Sequence, residues 1–310
     1  MKKIIGYIRE YFSEDVRIGY LAFSFFFILF SLFLNYGFRI SRTFTALFHG
    51  SIELYYFHAL FYGIVFLFGF GSYLITYKRW DLLKEKKWFL LIFVSWITLI
   101  GISSIRIENA DIFSFLPEET RYLALLCMNY AINSFVYLFF PLAYFFRRNV
   151  SESLGLNLKT ELTPYWILLL LMVPLIVWAS ASPSFLKVYP RYYDITAARF
   201  LGISPYWVCG FFEIFYLSNF IALEIFFRGF MIQSFVRYLG KGSILPTAMI
   251  YCYMHFNKPL EEAFGSFLGG LILGIIAYRT RSIFGGVIVH LGVAFVMEMA
   301  AHFFRGSLTY

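Results

Sequence analysis

The chain alternates long apolar runs with short polar ones. Runs at roughly 18–36, 52–77, 88–105, 122–146, 165–183, 207–234, 244–257, 262–278 and 283–304 each approach the about 20 apolar residues that a bilayer-spanning helix needs. Backbone in lipid must satisfy its own hydrogen bonds, so these runs predict an all-α, polytopic membrane bundle with about eight to nine transmembrane helices. The first residues, MKKIIGYIREYFSEDVR, instead mix charges with apolar side chains and lack a small-residue cleavage site. That pattern predicts a cytoplasmic interfacial helix over 1–17 rather than a signal peptide.

The connections set the expected orientation. KRWDLLKEKK (78–87) carries five basic residues, and RRNVSESLGLNLKTE (147–161) and RYLGKG (237–242) are basic as well. All three read as cytoplasmic, whereas RIENADIFSFLPEETR (106–121), richer in acids, falls on the far side. The stretch SFLKVYPRYYDITAARFLGISPY (184–206) is the longest polar connection and is expected to form a structured extracytoplasmic loop. The expected organisation is thus an interfacial helix (1–17), accessory helices with that loop (18–206), and core helices (207–304). No long-period repeat or low-complexity linker interrupts it.

Composition strengthens this picture. The 310 residues are 60% hydrophobic, 23% aromatic and 14% charged, against roughly a quarter charged in soluble domains. The formal charge of +8 collects in short loops between apolar segments, which is a topological signal and not a nucleic-acid surface. Cys127, Cys209 and Cys252 lie in apolar segments without metal-ligand spacing and read as small core hydrophobes. In GSFLGGLILG, Gly265 and Gly269, then Gly270 and Gly274, recur at four-residue spacing, which predicts close helix packing.

Against that apolar background a few polar groups stand out. LEIFFRGF (223–230) holds Glu224 and Arg228 four residues apart, on one helix face, with Glu213 three turns earlier. YCYMHF (251–256) places His255 one turn after Tyr251, and GGVIVHLGVAF (285–295) has His290 mid-segment, with Glu298 and His302 further on. Each charge at membrane depth costs at least a few kcal/mol. Taken singly, a membrane histidine serves as a helix-to-helix hydrogen-bonding group and a Glu–Arg pair as a structural ion pair. Together, a carboxylate, a guanidinium and two imidazoles on three successive polar-marked helices can hold and polarise water. A carboxylate in low dielectric suits general-base work, an imidazole N–H stabilises an oxyanion, and Arg228 holds Glu224 in place. Two imidazoles and a carboxylate (Glu224, His255, His290) are also a hydrolytic zinc set, but H-E-x-x-H is missing. A divalent metal is therefore not favoured, and no cofactor is expected to be required.

The order LEIFFRGF, His255 27 residues after Arg228, and His290 another 35 on resembles the CPBP intramembrane proteases, which include CAAX prenyl endopeptidases and bacterial Abi-type proteins. Their motifs are E-E-x-x-x-R, F-x-x-x-H and H-x-x-x-N. Glu224 and Arg228 match the second Glu and the Arg, His255 the second motif with Tyr251 for Phe, and His290 the third. Leu223 stands where the first Glu would be, and Ala294 where the Asn would be. HFNKPLEE (255–262) is similar to an HFGKPxxE variant of members with a single Glu, with Asn257 for Gly and Glu262 as the matching acid. The plain alternative for this stretch is a turn in which Pro259 ends one helix and Glu261 and Glu262 begin the next.

The resemblance covers about 207–300. It implies an intramembrane endopeptidase with Glu224, His255, His290, Arg228 and Glu262 as catalytic candidates. It further implies a membrane-associated peptide or protein substrate, of bacteriocin, lipoprotein or sorting-tail type, in a bacterial inner membrane. Two alternatives stay open. One is an inactive family member acting as a membrane scaffold or immunity protein. The other is a proton-coupled transporter, against which the lack of an internal repeat of the polar helices counts.

Overall fold

The computed structural model describes residues 2–148, 154–157 and 159–306. In chain order its helices are α1 (Lys2–Glu10), α2 (Ile18–Phe38), α3 (Ile40–Leu47), α4 (Glu53–Tyr77) and α5 (Lys86–Ser104). They continue with α6 (Glu118–Arg148), α7 (Thr163–Ser180), α8 (Pro183–Leu186), α9 (Thr196–Leu201) and α10 (Pro205–Glu224). A π-helical stretch, Ile225–Ile232, leads from α10 into α11 (Gln233–Leu239), followed by α12 (Ile244–Met254), α13 (Leu260–Thr280) and α14 (Phe284–Arg305). Among the described residues there is no strand, only an isolated antiparallel bridge between Leu156 and Ser282. Residues 149–153 and 158 of the basic 147–161 connection lie outside the described residues.

Eight helical stretches among the described residues are long and apolar enough to cross a membrane, so the chain is a multi-pass all-α membrane protein. The expected segment 207–234 and most of 244–257 fall within one of these, Pro205–Met254. They are separate helices within it. Gly240, at φ +53° and ψ −131°, breaks the run in a conformation that suits only glycine.

The chain divides into two compact units, the first formed by residues 1–104, 136–161 and 224–286. Its central element is α12, in which every residue from Ile244 to Tyr253 is buried. Helix α13 packs closely on it: a Cβ at Gly270 would lie 3.1 Å from the Tyr251 ring, and one at Gly274 3.0 Å from Ile244. Gly265 and Gly269, by contrast, face open space, so only one of the two expected glycine pairs serves helix contact. Helices α2 and α3 hold the chain that follows α12. Asn35 Nδ2 and Ser41 Oγ donate to the Phe256 carbonyl at 2.9 and 3.0 Å, and Tyr36 Oη to that of Lys258 at 2.6 Å.

The N-terminal helix is anchored to the same unit. Asp15, just after α1, is almost fully buried and pairs with Lys241 and, at 2.6 Å, with Arg279 at the end of α13. Arg279 also reaches Glu10 at 3.0 Å. Helix α1 and the turn that ends at Asp15 are thus tied by charge to the 240–243 turn and to α13.

The second unit comprises residues 105–135, 162–223 and 287–310. Its core gathers Leu123, Cys127, Tyr192, Val208, Phe212, Tyr216 and Ala294. The connection expected to be a structured loop is one: it carries α8 and α9, and the Arg191 N–H donates to Glu298 Oε2 at 2.8 Å while its Nε donates to Tyr130 Oη at 3.0 Å.

Candidate active site

Within the first unit, Glu224 and Arg228 sit where the α-helix gives way to π-helical winding. Such a widened turn is uncommon and recurs at functional sites. The local sequence explains what packs there. Phe226, Phe227 and Phe230 are fully buried, and Tyr137 and Tyr144 of α6 meet Phe226 and Phe230 with ring centroids 5.6 and 5.8 Å apart. Gly229 lets the backbone of Leu154 pass against the π-helix, because any Cβ there would collide with the Leu154 carbonyl oxygen.

Glu224 and Arg228 form an ion pair, Nη1 to Oε1 2.9 Å, with side-chain exposures of 0% and 2%. Water does not screen a pair so enclosed, and breaking it would strand a charge. The Arg228 guanidinium lies over the Tyr251 ring, 4.9 Å from its centroid. A cation over an aromatic face is attracted by the ring quadrupole. Tyr251 in turn meets the His255 imidazole edge to face, centroids 4.7 Å apart. The order Glu224, Arg228, Tyr251, His255 is therefore a continuous line of contacts.

His255 closes α12, and its Nδ1 lies 2.9 Å from the Tyr251 carbonyl oxygen. A carbonyl can only accept, so Nδ1 carries a proton, and when the ring is neutral Nε2 is its accepting nitrogen.

Glu262 occupies the first turn of α13 beside Glu261, with its Oε1 3.4 Å from Lys258 Nζ. It takes the helix-start position of the turn alternative. In the second unit, the His290 ring packs on Phe220, centroids 4.7 Å apart. Ala294 is buried in the aromatic core of that unit, and Leu223 is buried too. Among the described residues, no group of three or more His, Cys, Asp or Glu side chains is gathered to hold a metal ion.

Two features carry no sequence signal of their role. Tyr251 is legible as a motif position but not as the ring joining Arg228 to His255. Gly286, near the start of α14, belongs to no motif, yet a Cβ on it would collide with Glu224 Oε2 and lie 3.1 Å from the carboxyl carbon.

The stretch that bears Glu224, Arg228, Tyr251, His255, Glu262 and His290 has counterparts elsewhere. Residues 205–296 match the family model of type II CAAX prenyl endopeptidase Rce1-like proteins. This agrees with the CPBP resemblance read from the three motifs, and it supports an intramembrane endopeptidase in general terms. Comparison with curated proteins and with solved structures found no match.

Proposed function

We propose that the chain is an intramembrane endopeptidase that uses Glu224 as its single catalytic glutamate. The observation that carries this is the fully buried Glu224–Arg228 pair, joined through Tyr251 to a His255 whose Nδ1 is already engaged. Two ionised side chains are costly at such a place and are kept where they have a use.

In the reaction, Glu224 takes a proton from a water molecule, and the water oxygen attacks the carbonyl carbon of the scissile peptide bond. The tetrahedral oxyanion then collapses, the C–N bond breaks, and the proton is passed to the leaving amine. His255 orients the water through Nε2, and Arg228 holds the Glu224 carboxylate in place. The resemblance adds His290 as the imidazole that stabilises the oxyanion, and Glu262, paired with Lys258, as a supporting acid. The substrate is a membrane-associated peptide or protein, and the setting is a cell membrane, bacterial by the kind of protein the motifs resemble. Neither an organic cofactor nor a divalent metal is required in this scheme.

A second proposal keeps the fold without the chemistry. The burial of Ala294 in an apolar core, at the place of a motif asparagine, favours a membrane scaffold or immunity protein. The two separate by experiment. Purified protein in nanodiscs is incubated with a library of membrane-anchored peptides, and products are read by mass spectrometry for wild type and His255→Ala. Discrete cleavage products that vanish in a folded His255→Ala variant support the protease. Products that persist unchanged in that variant overturn the glutamate–histidine mechanism.

A further inference from the structure

We propose that Gly286 is a positioning residue for the Glu224 carboxylate, a role that rests on the reading of Glu224 as the base. The carboxylate is held from two sides. Its Oε1 meets Arg228 Nη1 at 2.9 Å. Its Oε2 occupies the space where a side chain on residue 286 would begin, since a Cβ there would collide with that oxygen and stand 3.1 Å from the carboxyl carbon. Arg228 therefore fixes one oxygen through charge, and the bare backbone of Gly286 fixes the other through shape. Both residues are buried, so the carboxylate has little room to turn aside.

The start of α14 is itself fastened in place. The Ile283 N–H donates to the Gly155 carbonyl at 2.9 Å, and Ser282 Oγ to that of Asn157 at 2.9 Å. Gly155 makes this clasp with φ +72°, a backbone conformation open to glycine. The same segment passes against Gly229, one residue beyond Arg228. Residues 154–157 thus bind the π-helix that carries Arg228 to the turn that delivers Gly286, and the carboxylate lies between the two.

The steric fit makes the proposal testable by a size exchange. Alanine at 286 fills the space of Oε2, whereas aspartate at 224 withdraws the carboxyl group by one methylene. Wild type, Gly286→Ala, Glu224→Asp and the double variant are compared in nanodiscs by thermal unfolding and by peptide cleavage. Gly269→Ala, which points into open space, serves as control. The expected result is that Gly286→Ala lowers Tm by several degrees and lowers kcat by roughly tenfold to a hundredfold at little-changed KM. In the Glu224→Asp background the same substitution costs little in Tm and nothing further in kcat. Gly269→Ala leaves both near wild type.

An equal drop in Tm on adding Gly286→Ala in both backgrounds overturns the positioning role, as does a Gly286→Ala variant with wild-type Tm and kcat. If Gly286→Ala fails to fold, recovery of folding in the double variant supports the contact and failure of both counts against it. The Tm cycle needs no substrate. Coupling in Tm without cleavage by wild type retains the Gly286–Glu224 contact and removes the protease reading. Cleavage by wild type with additive Tm values does the reverse.

Discussion

The Nδ1 of His255 donates to the carbonyl of Tyr251, one helical turn back, at 2.9 Å. This short contact places a proton on Nδ1, so when the ring is neutral its accepting nitrogen is Nε2. It also makes the end of α12 part of the site, since the ring is oriented by its own helix.

A glutamine at 255 keeps a polar atom near the place of Nε2 but lacks the ring that the Tyr251 carbonyl holds in place, so it cannot orient the water as His255 does. His255→Gln is expected to fold with a Tm near that of wild type and to lose peptide cleavage by about a hundredfold or more. Cleavage rates and melting curves on the same preparation check this.

Removing one partner of the enclosed ion pair should cost more than removing both. Arg228→Met strands Glu224 at zero exposure and is expected to lower stability by about 3–5 kcal/mol. Combining it with Glu224→Gln should recover most of that loss. Reversible denaturation in mixed micelles, run on the single and double variants, measures the difference.

The contact between Tyr251 and Arg228 is made by the ring face. Tyr251→Phe keeps that face and should retain cleavage within a few-fold. Tyr251→Leu removes the ring from both Arg228 and His255, and should lower kcat and Tm together. A phenylalanine variant as impaired as the leucine variant would shift the role from the ring to the hydroxyl.

Asn35 holds the residue after His255, and its Oδ1 accepts from the Ser41 N–H at 2.9 Å. Asn35→Ala leaves the Phe256 carbonyl with only Ser41 Oγ and frees the α2–α3 junction. It is expected to cost about 1–3 kcal/mol and to quicken hydrogen exchange of the 255–259 amides. Hydrogen-exchange mass spectrometry reads that segment directly.

The membrane helices and the polar residues buried among them were readable from the sequence because both depend on local pattern. An apolar run of about 20 residues has few structural options in lipid, and Glu224, Arg228 and His255 stand out as polar groups within such runs. What escaped depends on contacts between distant segments. Asn35 reaches Phe256 across 221 positions, and Gly286 meets Glu224 only once the two helices are placed. Four-residue glycine spacing suggested contact equally for Gly265, Gly269, Gly270 and Gly274, yet only the last two pack against α12 or the π-helix. Spacing gives the face of a helix, not its neighbour. The break at Gly240 was legible, because it falls in the RYLGKG connection that separates two apolar runs.

The central claim is that Glu224 is the base. The most direct measurement is the cleavage rate of Glu224→Gln against wild type, in nanodiscs, on one membrane-anchored peptide that wild type cuts, with folding verified by melting curves. Glutamine preserves the size and the contact with Arg228 but cannot accept the water's proton. A folded Glu224→Gln protein with cleavage reduced by about a hundredfold or more is the expected result. A folded variant that cuts the peptide at the wild-type rate would contradict the claim.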